Sequence, residues 1–189
     1  LEAIAVLFGL ASALFSWRNS IWVYPTGIVS TAIFVYLLWQ WGLLGDLMIQ
    51  GYYFSMSIYG WYVWTRKVSP DKFTPITYAT KKEHATAVLI GVSSILLVFL
   101  VYTFFEKWNT WTAYVDTLTT ALFFAGMWML AKRKIENWLY LLAGNIISVP
   151  LYFIKGYSLS SFLYLIFIVI SILGYVTWKK NLNSDKVIV

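Results

Sequence analysis

The sequence predicts an all-α membrane protein. Seven transmembrane helices form a 3+1+3 plan, two three-helix repeats running the same way with one linking helix between them. Three observations predict it. Of 189 residues, 60% are hydrophobic and 12% charged, whereas a soluble domain carries roughly a quarter charged residues. Apolar runs of about bilayer length recur along the chain. Finally, a pattern of rings and glycines repeats. Trp22, Tyr24 and Tyr36 match Trp138, Tyr140 and Tyr152 at a shift of 116, and Gly42, Gly60 and Trp64 match Gly156, Gly174 and Trp178 at a shift of 114. The two-residue difference is assigned to the loops between these segments. Copying a three-helix unit reverses its direction, and one extra helix restores it. Parallel repeats of this kind, related by an axis along the membrane normal, hold substrate near the midplane between them.

Taken in order, the spans are about Glu2–Ser16, Ser20–Gln40, Leu44–Thr65, Ala85–Phe105, Trp111–Ala131, Asn137–Ile154 and Ser158–Trp178. The first is short. Ala11-Ser12-Ala13 resembles a cleavage site, but no Lys or Arg precedes the apolar run, so it reads as a span and not a signal peptide. Leu1 in place of a start methionine implies a trimmed N-terminus. The second and third spans complete the first repeat, 1–65. A polar loop, 66–84, carries Pro70 and Pro75 and is too short to be a domain; His84 reads as a solvated loop residue. The fourth span, 85–105, is the linker. The fifth to seventh make the second repeat, 106–178, and 179–189 is a tail. Pro150 interrupts the sixth span, as a hinge or a static kink. Gly27, Gly60, Gly126, Gly144 and Gly174 permit close helix packing.

Charge sets the orientation. The loops after the odd-numbered spans, with the tail, hold twelve of the fourteen basic residues: Arg18, Arg66, Lys67, Lys72, Lys81, Lys82, Lys132, Arg133, Lys134, Lys179, Lys180 and Lys186. The opposite side holds Lys107 and Lys155. The positive-inside rule places the N-terminus outside and the C-terminus in the cytoplasm. The net charge of +6 therefore reports topology and contact with membrane lipid, not nucleic-acid binding. With no Cys and one His, thiolate chemistry and histidine clusters are excluded. No Ser–His or metal-ligand constellation lies within the spans and no phosphate-binding glycine loop appears, so the chain does not read as an enzyme and no cofactor is implied.

Polar residues inside the spans carry the functional reading. Trp138, Asn145 and Tyr152 are seven apart, close to two helical turns, and share a face. Gln50 and Tyr53 are neighbours on one face, as are Asp116, Thr119 and Thr120, and again Asn145 and Ser148. Interhelical hydrogen bonds, worth about 1 kcal/mol each, are one explanation. The other is a polar pocket between the repeats. There carboxamides pair with a guest as donor and acceptor, and rings attract a pyridinium face. Asp116 is the one acid well inside a span, which suits attraction of a cation, proton carriage or helix capping. Interfacial anchoring accounts for Trp17, Trp22, Trp39, Trp41, Trp64, Trp108, Trp111 and Trp178, all near span ends. Trp61 and Trp128 lie about a turn deeper and read as packing.

Tyr24-Pro25-Thr26-Gly27-Ile28-Val29-Ser30-Thr31, Gln50 through Tyr53, and Tyr59-Gly60-Trp61-Tyr62-Val63-Trp64 in the first half resemble the PnuC family, bacterial transporters of nicotinamide riboside. In the second half the resemblance rests on Asp116-Thr117-Leu118-Thr119-Thr120, Glu136-Asn137-Trp138, Asn145-Ile146-Ile147-Ser148 and Gly174-Tyr175-Val176-Thr177-Trp178. Leu141 stands where that family often has a second Trp. The resemblance implies a fold similar to the SWEET sugar transporters, a homotrimer in the bacterial inner membrane, and facilitated diffusion of nicotinamide riboside with cytoplasmic phosphorylation as the trap. Related vitamin carriers, for thiamine or riboflavin, share that scaffold, and a SWEET-type sugar transporter is a further alternative. The expected substrate-binding residues are Gln50, Tyr53, Asp116, Thr120, Trp138, Asn145, Ser148 and Tyr152.

Overall fold

The computed structural model describes residues 1–69, 72–105 and 111–182. Pro70, Lys107, Trp108 and Lys186 lie outside them. The described elements are α1 (Glu2–Trp17), α2 (Val23–Gln40), α3 (Leu44–Thr65), the paired strands β1 (Lys67–Ser69) and β2 (Lys72–Phe73), α4 (Lys81–Phe104), α5 (Thr112–Ala131), α6 (Asn137–Ile154) and α7 (Ser158–Lys180). By length and composition, α2, α4, α5, α6 and α7 are apolar enough to cross a membrane. α1 is shorter, with 16 residues. α3 is long enough, but Asp46, Gln50 and its serines make it more polar.

The helices close a ring. α1 packs on α2 and α2 on α3, α5 on α6 and α6 on α7, and the halves meet where α3 touches α5 and α1 touches α7. α4 lies outside, packed chiefly on α5, where Gly91 lets it approach Ala121. The two junctions carry equivalent bonds with the halves exchanged. Trp64 Nε1 of α3 donates to Leu130 O at 3.3 Å, and Trp178 Nε1 of α7 donates to Ser16 O at 3.0 Å. Both donors and both acceptors lie 114 residues apart.

The turns repeat at the same offset. Asn19 (φ 55°) and Arg133 (φ 54°), then Gly42 (φ 68°) and Gly156 (φ 84°), all adopt left-handed backbone. Each ends its helix in a Schellman motif: Ser20 N–H donates to Phe15 O, Lys134 to Met129, Leu43 to Leu38 and Tyr157 to Tyr152. These motifs correct one boundary and the repeat. α2 starts at Val23, not Ser20, and α2 and α6 correspond at a shift of 114, not 116. Tyr24 therefore stands opposite Trp138. The Trp and Tyr matches two residues out of step came from similar composition, not from equivalent places.

The loop after α3 is tied down. Ile76 is fully buried. Thr77 exchanges backbone bonds with Arg133 O (3.2 Å) and the Ile135 N–H (3.1 Å). The Glu136 carboxylate accepts the Ala79 N–H at 2.9 Å. Thr80 and Glu83 form a reciprocal capping box, which starts α4 at Lys81, four residues before the expected 85. His84 thus belongs to the first turns of α4, 3.9 Å from Glu136, and is not a free loop residue. Arg133, buried at 0% exposure, hydrogen-bonds Thr74 O and Asn19 Oδ1, and its guanidinium lies 4.8 Å over the Trp64 ring.

The tryptophans sort differently from the expectation. Trp22, Trp39, Trp41 and Trp111 are exposed, as belt residues would be. Trp64 and Trp178 are fully buried. They form a ring cluster with Tyr24 and Trp138: Tyr24–Trp64 at 5.1 Å, Trp64–Trp178 at 5.7 Å and Trp138–Trp178 at 5.6 Å. Span ends do not distinguish a ring facing lipid from one facing the opposite half. Trp61, read as packing, is 42% exposed.

Candidate functional site

Inside the ring is a cavity of about 390 Å³, lined by α1, α2, α3, α5, α6 and α7. Its size falls within the roughly 300–1,000 Å³ of small-molecule sites. Glycines set its shape. A Cβ on Gly60 would lie 2.2 Å from the Tyr24 ring, and one on Gly174 would lie 2.5 Å from the Trp138 ring. These two glycines, again 114 apart, seat two of the rings that line the cavity. Gly144 does the same for Phe123, whose ring a Cβ would meet at 2.6 Å. Gly27 and Gly126 are less crowded, with Ser12 and Leu141 at 3.1 and 2.9 Å from such a Cβ.

Of the eight expected site residues, Gln50, Tyr53, Trp138 and Asn145 line this cavity. Asn145 is 5% exposed, and its Nδ2 donates to Ser171 Oγ at 3.2 Å. The other four lie elsewhere. Asp116 sits near the start of α5 and forms a hydrogen-bonded ion pair with Lys155, the residue that ends α6. A carboxylate within reach of an ammonium at the membrane edge pairs with it sooner than it enters an apolar chamber. Thr120 donates to Asp116 O at 2.8 Å within its own helix. Ser148 is fully buried but does not line the cavity. Tyr152 packs 4.9 Å from Tyr164, which does line it, and lies beneath the Lys155 ammonium at 5.4 Å.

Several lining residues escaped sequence reading. Tyr24, Thr31, Tyr164 and Phe167 stand 114 residues from Trp138, Asn145, Gln50 and Tyr53 respectively, and all eight line the cavity. The shift of 114 already visible in Gly60 and Gly174 was the signal that locates them. The wall also contains Phe123, with its ring nearly parallel to Tyr164 at 6.2 Å. No charged residue is among the described lining. The site is therefore a neutral, ring-rich chamber with two carboxamides. It can stack a flat guest and exchange hydrogen bonds with it in both senses, and among the described residues no group of three or more His, Cys, Asp or Glu could hold a metal ion.

Comparisons with known proteins agree with this architecture. The chain is 26% identical over 190 residues to the riboflavin/roseoflavin transporter RibM of Streptomyces davaonensis, covering 97% of this chain and 86% of that protein. It is 24% identical over 204 residues to the nicotinamide riboside transporter PnuC of Escherichia coli, covering 96% and 85%. Its fold matches the crystal structure of the vitamin B3 transporter PnuC with a TM-score of 0.69 at 16% identity, over 98% of this chain and 83% of that one. The nicotinamide mononucleotide transporter family model matches residues 1–180. The chain belongs to that family of multi-pass membrane transporters.

Proposed function

We propose that this protein carries nicotinamide riboside across the bacterial inner membrane. The observation that carries the reading is the chamber between the two halves, with rings and the carboxamides of Gln50 and Asn145 in one neutral wall. A pyridinium ring stacks on aromatic faces, and a carboxamide guest pairs with Gln and Asn. A phosphorylated guest would leave its charge unpaired in such a lining, at a cost of several kcal/mol, so the riboside fits better than its mononucleotide. The equivalent turns, glycines and junction bonds support a 3+1+3 parallel repeat of SWEET-like plan, with the chamber on its axis. With no acid in the described lining, facilitated diffusion suits the site better than ion coupling, and phosphorylation in the cytoplasm keeps the gradient inward. The charge asymmetry supports an outside N-terminus and a cytoplasmic C-terminus. A homotrimer completes the assembly.

A second reading is riboflavin, favoured by the similarity to RibM. Titration of the purified protein with nicotinamide riboside, nicotinamide mononucleotide, thiamine and riboflavin, followed by uptake into proteoliposomes, separates these readings. Saturable binding and uptake of the riboside is the expected result. Uptake of riboflavin alone reassigns the cargo, and absence of binding by well-folded protein defeats both readings.

A further inference from the structure

The two seams between the halves are alike at the basic end and differ beyond it. There the bond from Trp64 to Leu130 on the α3–α5 seam is matched by the one from Trp178 to Ser16 on the α1–α7 seam. Trp17 Nε1 adds a second bond on the α1–α7 side, to Thr177 Oγ1 at 2.9 Å. Among the described residues, only the α3–α5 seam is also fastened at mid-span. Tyr52 Oη donates to Phe124 O at 2.8 Å, and the two rings stack at 3.8 Å with their planes 8° apart. The equivalent residues in the α1–α7 seam are Ile166 and Leu10, and Ile166 has no side-chain donor. The α3–α5 seam is bridged as well. α4 packs on both α3 and α5, and the loop after α3 is bonded to the α5–α6 turn through Thr77. No described element packs on both α1 and α7.

The geometry points to the α1–α7 seam as the one that parts when the chamber opens at the end opposite the basic turns. α1 and α7 pivot on Trp17 and Trp178, while α3 and α5 stay joined as the fixed seam. This rests on the transport reading above and adds a path to it. Two halves that rock about a central site need not separate equally along both edges. A hydroxyl pulled off its carbonyl inside the bilayer finds no water to replace it, so a seam with a mid-span bond resists parting. The chamber is shaped accordingly. Ala5, Val6 and Gly9 of α1 and Leu163 of α7 line it, so separating these helices exposes its wall directly. On α5 the equivalents of Ala5 and Val6 are Thr119 and Thr120, and neither lines the chamber.

The test places spin labels on cysteine pairs in the full chain, which has no Cys of its own. Ile4→Cys with Leu159→Cys reports the α1–α7 seam, and Met48→Cys with Leu118→Cys the α3–α5 seam. All four positions are exposed and none lines the chamber. Labelled chains are diluted with unlabelled protein, so that each distance lies within one chain. Electron paramagnetic resonance in proteoliposomes then compares the distances without ligand, with nicotinamide riboside and with riboflavin. The α1–α7 distance changes with ligand and the α3–α5 distance holds. Ile166→Tyr supplies the missing donor opposite Leu10 O, and Ile166→Phe matches its bulk without the hydroxyl. The Tyr variant takes up ligand about three- to tenfold more slowly than the Phe variant, the size of one neutral hydrogen bond, and its α1–α7 change shrinks. An equal or larger change at α3–α5, or none at α1–α7 in protein that takes up ligand, overturns the seam assignment alone. Equal uptake and equal distances in the two Ile166 variants do the same. Wild-type protein that neither binds nor takes up either ligand overturns the transport reading, and the seam assignment with it.

Discussion

Asn145 shows how far one residue's chemistry can be read and where it stops. An amide in the middle of an apolar span must have a partner. Its Nδ2 found Ser171 on α7 at 3.2 Å, while the side chain still lines the chamber. Packing and ligand roles coexist in one side chain. Asn145→Leu should weaken riboside binding about tenfold or more while leaving the protein monodisperse; wild-type affinity in a titration would assign it to packing. Gln50→Leu should behave alike. Gly174→Ala is a harsher test, since its methyl would sit 2.5 Å from the Trp138 ring. It should cost about 1–3 kcal/mol through overpacking and displace a chamber ring, lowering both the melting temperature and the affinity. A variant that loses neither would show that Trp138 has room to move.

At the level of elements, the turns do more than connect. The α5–α6 turn holds Arg133 in left-handed backbone, accepts the loop after α3, and reaches Asn19 in the α1–α2 turn at 2.6 Å. It therefore joins both halves at their basic end. Arg133→Ala leaves Thr74 O and Asn19 Oδ1 without that donor, at about 1–3 kcal/mol each. We expect a clear drop in melting temperature and faster proteolysis within 66–80; unchanged cleavage would mean that the loop is held by Ile76 and Glu136 alone. The capping box of Thr80 and Glu83 was present in the sequence three residues apart. Hydropathy alone places the start of α4 later than this box does, because a helix can begin well before its apolar run. The Schellman turns were legible at Gly42 and Gly156, but not at Asn19 and Arg133, where a side chain stands in a position that glycine favours.

For the whole molecule, orientation is the consequence most open to test. The chain contains no Cys, so single cysteines report sidedness directly. Trp41→Cys, at the exposed turn after α2, should react with a membrane-impermeant maleimide on intact cells, and Lys180→Cys only after permeabilisation. The reverse pattern would invert the proposed topology.

The sequence by itself determined the membrane class, the number and order of the helices, the charge asymmetry and the glycines at which helices approach, because these depend on composition and short-range spacing. It also singled out four chamber residues, since polar groups within apolar spans are few. Which ring faces the chamber, which acid finds a lysine, and which residue opposes which across the halves were decided only by the tertiary structure. Trp64 and Trp22 look alike near a span end, and Asp116 looks like a ligand until Lys155, 39 positions on, is brought beside it. Burial and ion pairing depend on contacts between distant segments, and local spacing does not encode the geometry that brings those segments together.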